Sequence, residues 1–233
     1  MISTRRYRLI RNSVFVWMTV VITAGFLMSI PKIDILEHTA RNLYFHVPMW
    51  FTMMAAAIVS VFHSIRHLRK RDIESDLRAA EAARVALLFG FMGITTGVVW
   101  AKVTWYQGTS VWWNFDPRQT SVAIELMVYS AYFVLRSSFE DSELRGRISA
   151  AYNVFAFTTM PFLLYVLPRQ LDSLHPGAEG NPAFSEITDP RMRLVFYPAI
   201  IGFMGLFWIL YTQRVRYRLL KNSVENRYLN DNS

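Results

Sequence analysis

Six long apolar segments dominate the chain, and their length limits its fold more than any other feature. Each contains roughly 20 residues, the length an α-helix needs to cross a hydrocarbon core about 30 Å thick. They lack the alternation of barrel strands, and only helices or closed barrels satisfy the backbone within lipid. The segments are 13–30, 47–65, 85–102, 120–135, 148–167 and 194–212. The sequence therefore predicts an all-α, polytopic integral membrane protein with six transmembrane helices in a single domain, residues 1–233.

Basic residues are concentrated on one side of these predicted helices. Six crossings place both termini and the second and fourth connecting loops on the same side, which holds 18 of the 25 lysine and arginine residues. Because cytoplasmic loops are enriched in Lys and Arg, this bias predicts cytoplasmic termini and a multi-pass protein of the cytoplasmic (inner) membrane. Loops 31–46, 103–119 and 168–193 are then the outer loops. The bias also accounts for the net charge of +8 without nucleic acid as a partner.

The second outer loop is unusually rich in tryptophan. The stretch WAKVTWYQGTSVWWNFDPRQT, residues 100–120, contains four of the seven tryptophans of the chain. An interfacial aromatic belt explains one or two of them, and an Asp-Pro pair can simply begin a helix. An aromatic cluster that ends in a carboxylate and a guanidinium also suits a flat apolar ligand with a charged edge. The candidate ligand contacts are Trp100, Trp105, Trp112, Trp113, Phe115, Asp116 and Arg118.

Three histidines lie in the predicted outer loops, and two of them have surroundings suited to ligand binding. His46 lies in YFHVPMW at the start of the second predicted helix, and His175 lies in the turn-rich segment LDSLHPGAEG. A single loop histidine is more often a surface residue, but neutral imidazole is also a common axial ligand of haem iron. Two such histidines beside an aromatic cluster favour haem as the ligand. His38 has no aromatic neighbour and is the weaker candidate.

The chain contains no cysteine. This excludes disulfides, thiolate metal sites and covalent attachment of haem through a CxxCH sequence. A haem bound by this chain is therefore expected to be held without a covalent bond, which suits a protein that passes its ligand on.

The order of YFHVPMW, WWNFDPRQT and LHPG resembles the haem-handling proteins of cytochrome c biogenesis, most closely the haem exporter protein C family. The resemblance covers nearly the whole chain. It implies non-covalent haem b, with His46 and His175 as axial ligands of the iron. It also implies that the tryptophans, Asp116 and Arg118 contact the macrocycle and its edge. Phe115 stands where the family commonly has a tryptophan.

The resemblance also implies a function in the maturation of c-type cytochromes. The family binds haem at the outer, periplasmic face and delivers it to a membrane-tethered haem chaperone. It works with an ABC-type complex that has a cytoplasmic ATPase subunit, and a small single-span accessory subunit is a further expected partner. The chain has no Walker A sequence, so it is expected to be a transfer protein without ATPase activity.

Several alternatives remain open at the level of the sequence. A cytochrome c haem lyase-like protein, a cytochrome b-like redox membrane protein and a binding subunit for another aromatic compound are the rival functions. The residues do not decide whether haem crosses the bilayer through the chain or is only received at the outer face. They also leave open the role of Glu125, which is expected to be protonated, to pair with Lys102 or Arg118, or to bond to a neighbouring helix.

Overall fold

A computed structural model of the chain describes residues 3–33, 36–175, 187 and 189–231. Part of the third predicted outer loop, namely 176–186 and 188, lies outside these residues. The described part contains helices and no strand, which confirms the predicted all-α class. The helices are α1 (Thr4–Leu27), α2 (Leu43–Lys70), α3 (Ile73–Thr104), α4 (Pro117–Ser137), α5 (Ser142–Pro161) and α6 (Pro190–Asp231).

These six helices correspond in order to the six predicted spans. Five helical segments among the described residues are long and apolar enough to cross a membrane, and α4 is the helix that falls short in hydropathy. With 21 residues α4 is about 31 Å long, so its length is sufficient. Arg118, Glu125 and Arg136 reduce its apolar character. The chain is thus a polytopic helical membrane protein.

A tight turn joins α2 to α3 and sets them side by side. Arg71 takes a left-handed conformation (φ 53°) that ends α2, and Asp72 begins α3 by accepting from the amide of Ser75 at 2.6 Å. Burial raises the pKa of Asp72, but hydrogen bonds from Ser75 and Arg66 outweigh it and hold that pKa below its usual range. Small buried residues then allow close approach of the two helices; they include Ala56, Ala57, Ala82, Ala83 and Ala86.

Helix α2 is the centre of the bundle, because it packs against α3, α5 and α6. A buried polar contact joins α2 to α5, in which the Asn153 amide donates to the hydroxyls of Ser60 at 2.7 Å and Ser64 at 2.8 Å. Glu125 of α4 is fully buried and accepts from the Thr159 hydroxyl of α5 at 3.1 Å. Of the expectations for this carboxyl group, the structure gives it the bond to a neighbouring helix. These contacts fix the helices that surround the site.

The backbone changes its winding after Pro161. The α-helix gives way to a π-helical turn, Phe162–Val166, and then to a 3-10 turn, Leu167–Arg169. Pro168, at the start of the 3-10 turn, lacks a backbone donor and disturbs the turn that precedes it, which accounts for the irregular winding. The chain then runs from Arg169 to His175 and returns over the end of the bundle where α2 and α4 begin.

Candidate functional site

His46 lies in the first turns of α2 and is buried, with 6% of its surface exposed. The indole N–H of Trp50, one helical turn further, donates to its Nε2 at 3.1 Å. Because an indole nitrogen only donates, Nε2 is the accepting nitrogen and Nδ1 carries the proton. Nδ1 lies 3.0 Å from the Thr96 hydroxyl, which in turn donates to carbonyls of α3. Both ring nitrogens of His46 are therefore held, and the imidazole is neutral.

Two tryptophans stand edge-on to this imidazole. The ring centres of Trp50 and Trp100 lie 5.8 Å and 5.7 Å from that of His46, at interplanar angles of 83° and 76°. The indole nitrogen of Trp100 donates to the hydroxyl of Thr39 at 3.0 Å, so this ring is fixed from the segment that precedes α2. His46 thus lies in a rigid aromatic environment.

Two glycines of α3 make room for this arrangement. A Cβ atom added at Gly97 would lie 2.8 Å from Cε1 of His46, and one added at Gly93 would lie 2.8 Å from the Trp50 ring. Such distances are shorter than carbon atoms tolerate without displacement. The absence of side chains at these two positions is what lets both rings pack directly against the α3 backbone.

His175 approaches the same place from the segment that follows α5. Its Nδ1 lies 3.2 Å from a guanidinium nitrogen of Arg118, which is in the first turn of α4. Since a guanidinium only donates, Nδ1 of His175 is the accepting nitrogen in this contact. The lone pairs of Nε2 in His46 and of Nδ1 in His175 are therefore each occupied by a donor from the protein.

Asp116 links the tryptophan loop to the segment that holds His175. One carboxylate oxygen caps α4 by accepting from the amide of Arg118 at 2.9 Å. The other oxygen accepts from the hydroxyl of Ser173 at 2.8 Å and from the amide of Leu174 at 3.2 Å. Asp116 is buried, with 8% exposed, so both of its oxygens serve contacts within the protein. The carboxylate thus connects the start of α4 to the residues that immediately precede His175.

Two adjoining cavities meet at the histidines. The smaller, about 80 Å³, lies under the tryptophan loop and is bounded by Trp100, Trp105, Tyr106 and Asn114. The larger, about 450 Å³, extends between α2 and α5 and is mainly apolar. The residues common to both cavities are His46, Trp50, Arg118, Val122 and His175. Arg169 adds a second cation to the lining of the larger one.

The structure brings six of the nine predicted site residues together around these cavities: His46, Trp100, Trp105, Asp116, Arg118 and His175. Trp112, Trp113 and Phe115 line neither of them. Phe115 is 77% exposed and adopts the left-handed conformation at φ 57°, which is unfavourable for a bulky side chain. The Lys102 ammonium lies 5.6 Å from the ring centre of Trp112. It also donates to the carbonyls of Tyr106 and Thr109, which stabilises this part of the loop.

Sequence reasoning did not identify Trp50, Asn114 or the glycines of α3 as parts of this site. Trp50 could have been found, because a residue four positions after His46 lies on the same face of a helix. The glycines gave no comparable signal, since their role depends on which helix packs against His46.

Comparison with known proteins places the chain among its relatives. Residues 2–230 match the family model described as Heme exporter protein C. The protein of that name from Escherichia coli strain K12 is 29% identical over 183 residues, covering 77% of this chain and 70% of the relative. The one from Paracoccus denitrificans is 29% identical over 182 residues, covering 76% and 72%. The one from Haemophilus influenzae is 24% identical over 196 residues, covering 81% and 75%. The chain belongs to the Heme exporter protein C family.

Proposed function

We propose that this protein binds haem and transfers it at the outer face of the cytoplasmic membrane during maturation of c-type cytochromes. The observation that supports this most directly is the convergence of His46 and His175 on one aromatic-lined cavity system. The family to which the chain belongs is named for haem export, and it is a transfer component and not an enzyme. In this proposal haem is the cargo, and the two histidines are its axial ligands.

The chemistry of the lining residues fits such a cargo. The apolar wall between α2 and α5 suits the macrocycle, and the indoles of Trp50 and Trp100 keep the imidazole of His46 in place. Arg118 and Arg169 offer cations to the carboxylate groups at the edge of haem b. A chain without cysteine holds haem b non-covalently, and histidine ligation is reversible. These features suit retention followed by release.

The charge distribution supports the orientation that this function needs. His46 lies at one end of α2, and the basic run that includes Arg66, Arg69 and Arg71 lies at the other. With the basic end in the cytoplasm, the site faces the periplasm. There it would meet a membrane-tethered haem chaperone. An ABC-type complex with a cytoplasmic ATPase subunit, and a small single-span accessory subunit, complete the proposed set of partners.

Titration of the purified full-length protein with ferric haem tests this function. We expect one haem per chain, a Soret band typical of two histidine ligands, and full recovery of haem b by acid–acetone extraction. A spectrum identical to that of haem in the same detergent would contradict the proposal. Haem that stays attached after extraction would contradict the non-covalent part of it.

Trp50→Phe is expected to increase haem affinity about fivefold and to slow haem release. The indole N–H occupies Nε2 of His46, and iron can bind that lone pair only after the indole has moved away. Phenylalanine keeps an aromatic ring but removes the donor. A hydrogen bond contributes about 1 kcal/mol net, which corresponds to a factor of about five in affinity. Affinity is measured by titration and release by capture of haem in excess apomyoglobin.

Trp105→Phe is the matched control for this change. Trp105 also lines the cavity, and it loses the same N–H group without affecting the bond to His46. An unchanged or weaker haem affinity in Trp50→Phe relative to the parent protein, or an equal increase in Trp105→Phe, would show that Trp50 does not compete with the iron.

A further inference from the structure

A second large cavity lies at the opposite end of the bundle from the histidines. It has a volume of about 800 Å³ and lies between α3, α4 and α6, with the first turn of α5 at its edge. Along α3 its lining runs from Ile73 to Phe91, a distance of about 27 Å at the rise of an α-helix. The haem proposal does not use this groove, and its lining is polar at one end and apolar at the other.

The polar end contains more positive than negative charge. Arg84, Arg136, Arg145 and Arg218 line it, against the carboxylates of Asp76 and Glu81. Arg136 binds Asp76 with both of its terminal nitrogens, at 2.6 Å and 2.5 Å. This pair is largely buried and nearly neutral, so it does not supply the excess charge.

The excess positive charge comes from the arginines around Glu81 and from Arg145. Glu81 is buried and is shared by three arginines, Arg84 at 2.5 Å, Arg214 at 2.7 Å and Arg218 at 3.2 Å. The Arg145 guanidinium lines the groove and makes no hydrogen bond or ion pair with the part of the chain that the structure describes. One carboxylate cannot neutralise three guanidinium groups, so this end of the groove attracts an anion.

The other end of the groove lies within the third membrane-spanning helix and opens toward lipid. Leu87, Leu88 and Phe91 line it, and the last two side chains are 46% and 50% exposed. Phe133 lies between the two ends and packs under Arg84, whose guanidinium carbon is 5.0 Å from the ring centre. An occupant that satisfies the whole groove must therefore combine an anionic head with an apolar chain.

We propose that this groove binds one anionic phospholipid of the leaflet on the side of the chain termini. Its phosphate would lie among Arg84, Arg145 and Arg218, since guanidinium groups bind phosphate oxygens with good geometry. One acyl chain would lie along Leu87, Leu88 and Phe91. The side that carries the termini is the basic side of the protein, where anionic lipids are attracted most strongly. A free phosphate would fill only a small part of a cavity of about 800 Å³.

Native mass spectrometry and thermal unfolding of the full-length protein in detergent test this site. We expect one dioctanoyl phosphatidylglycerol to bind and to raise the unfolding temperature, whereas dioctanoyl phosphatidylcholine and inorganic phosphate do neither. Arg145→Gln should weaken phosphatidylglycerol binding about fivefold, the factor typical of one arginine near an anionic lipid. Arg145→Gln breaks no ion pair among the described residues, so the fold should be unaffected.

Arg147→Gln is the matched control, because Arg147 is an exposed arginine on the same helix and does not line the groove. An equal loss of binding in both variants would reduce the effect to general surface charge and overturn the proposal. Equal binding of phosphatidylcholine, or binding of phosphate alone, would also overturn it. A photoreactive side chain at position 88 should crosslink to lipid in membranes; crosslinking to a protein subunit instead would assign the groove to a partner helix.

Discussion

His46→Ala is expected to reduce haem affinity by on the order of 100-fold and to leave any residual haem in a high-spin state. The substitution removes an axial ligand that the protein already holds in position through the bond between Nδ1 and Thr96. A preorganised ligand loses little freedom on binding, so it contributes more than a flexible one. His175 lies on a loop, so we expect His175→Ala to reduce haem affinity as well, but by a smaller factor. Haem content after purification and the Soret spectrum provide the measurement.

His38→Ala serves as the control for these variants, since His38 is an exposed histidine that also precedes α2. It should retain the haem content and spectrum of the parent. Imidazole added to His46→Ala should restore a low-spin spectrum, because it supplies the missing nitrogen ligand. A parent-like haem content in both His46→Ala and His175→Ala would contradict the proposed ligands.

The six helices could be predicted because membrane crossing leaves a strong signal in the sequence. An apolar run of roughly 20 residues is hard to place elsewhere. Helix ends were less accurate, since a helix does not have to stop where the lipid stops. Helix α2 begins at Leu43, before the predicted span at 47, so His46 belongs to the helix and is fixed by it. This shift turns His46 from a loop residue into a rigid one.

The site could be predicted in part. His46, His175, Trp100 and Arg118 were predicted from their residue types and their predicted outer positions, and the structure brings them together around the cavities. Trp112 and Phe115 were predicted from the same clustering of aromatic residues, but they line neither cavity. Both side chains are exposed, because the loop turns them away from the cavities. Which indole faces the cavities depends on the backbone conformation at turns such as that at Phe115. The local sequence does not determine this conformation.

Asp116 shows a different limit of sequence reasoning. Its position before Pro117 predicts a helix cap, and its position beside Arg118 predicts a charged contact with the ligand edge. The structure uses the carboxylate for the cap and for two further bonds, to Ser173 and Leu174. These residues are 57 and 58 positions away along the chain, so no local sequence pattern predicts the two contacts. We infer that Asp116 is a positioning residue for His175.

Asp116→Ala is therefore expected to weaken haem binding by up to about 30-fold. The change removes a helix cap worth about 1 kcal/mol and leaves the donors of Ser173 and Leu174 without their acceptor, at about 1 kcal/mol each for partly buried groups. The contacts between the tryptophan loop and the His175 segment are then weaker by about 2 kcal/mol. The fraction of molecules in which the His175 segment is docked against Asp116 falls by up to about 30-fold. Apparent haem affinity then falls by the same factor.

Asp141→Ala separates this positioning effect from a loss of helix capping. Asp141 caps α5 by accepting from the amide of Leu144 at 2.6 Å, and it is exposed at the end of the bundle away from the histidines. Asp141→Ala should lower the stability of its helix by a similar amount and leave haem affinity unchanged. Added imidazole should restore the low-spin spectrum of Asp116→Ala, since only the placement of His175 is lost. Equal haem affinity in Asp116→Ala and Asp141→Ala would mean that the tryptophan loop and the histidine loop hold their positions without this carboxylate.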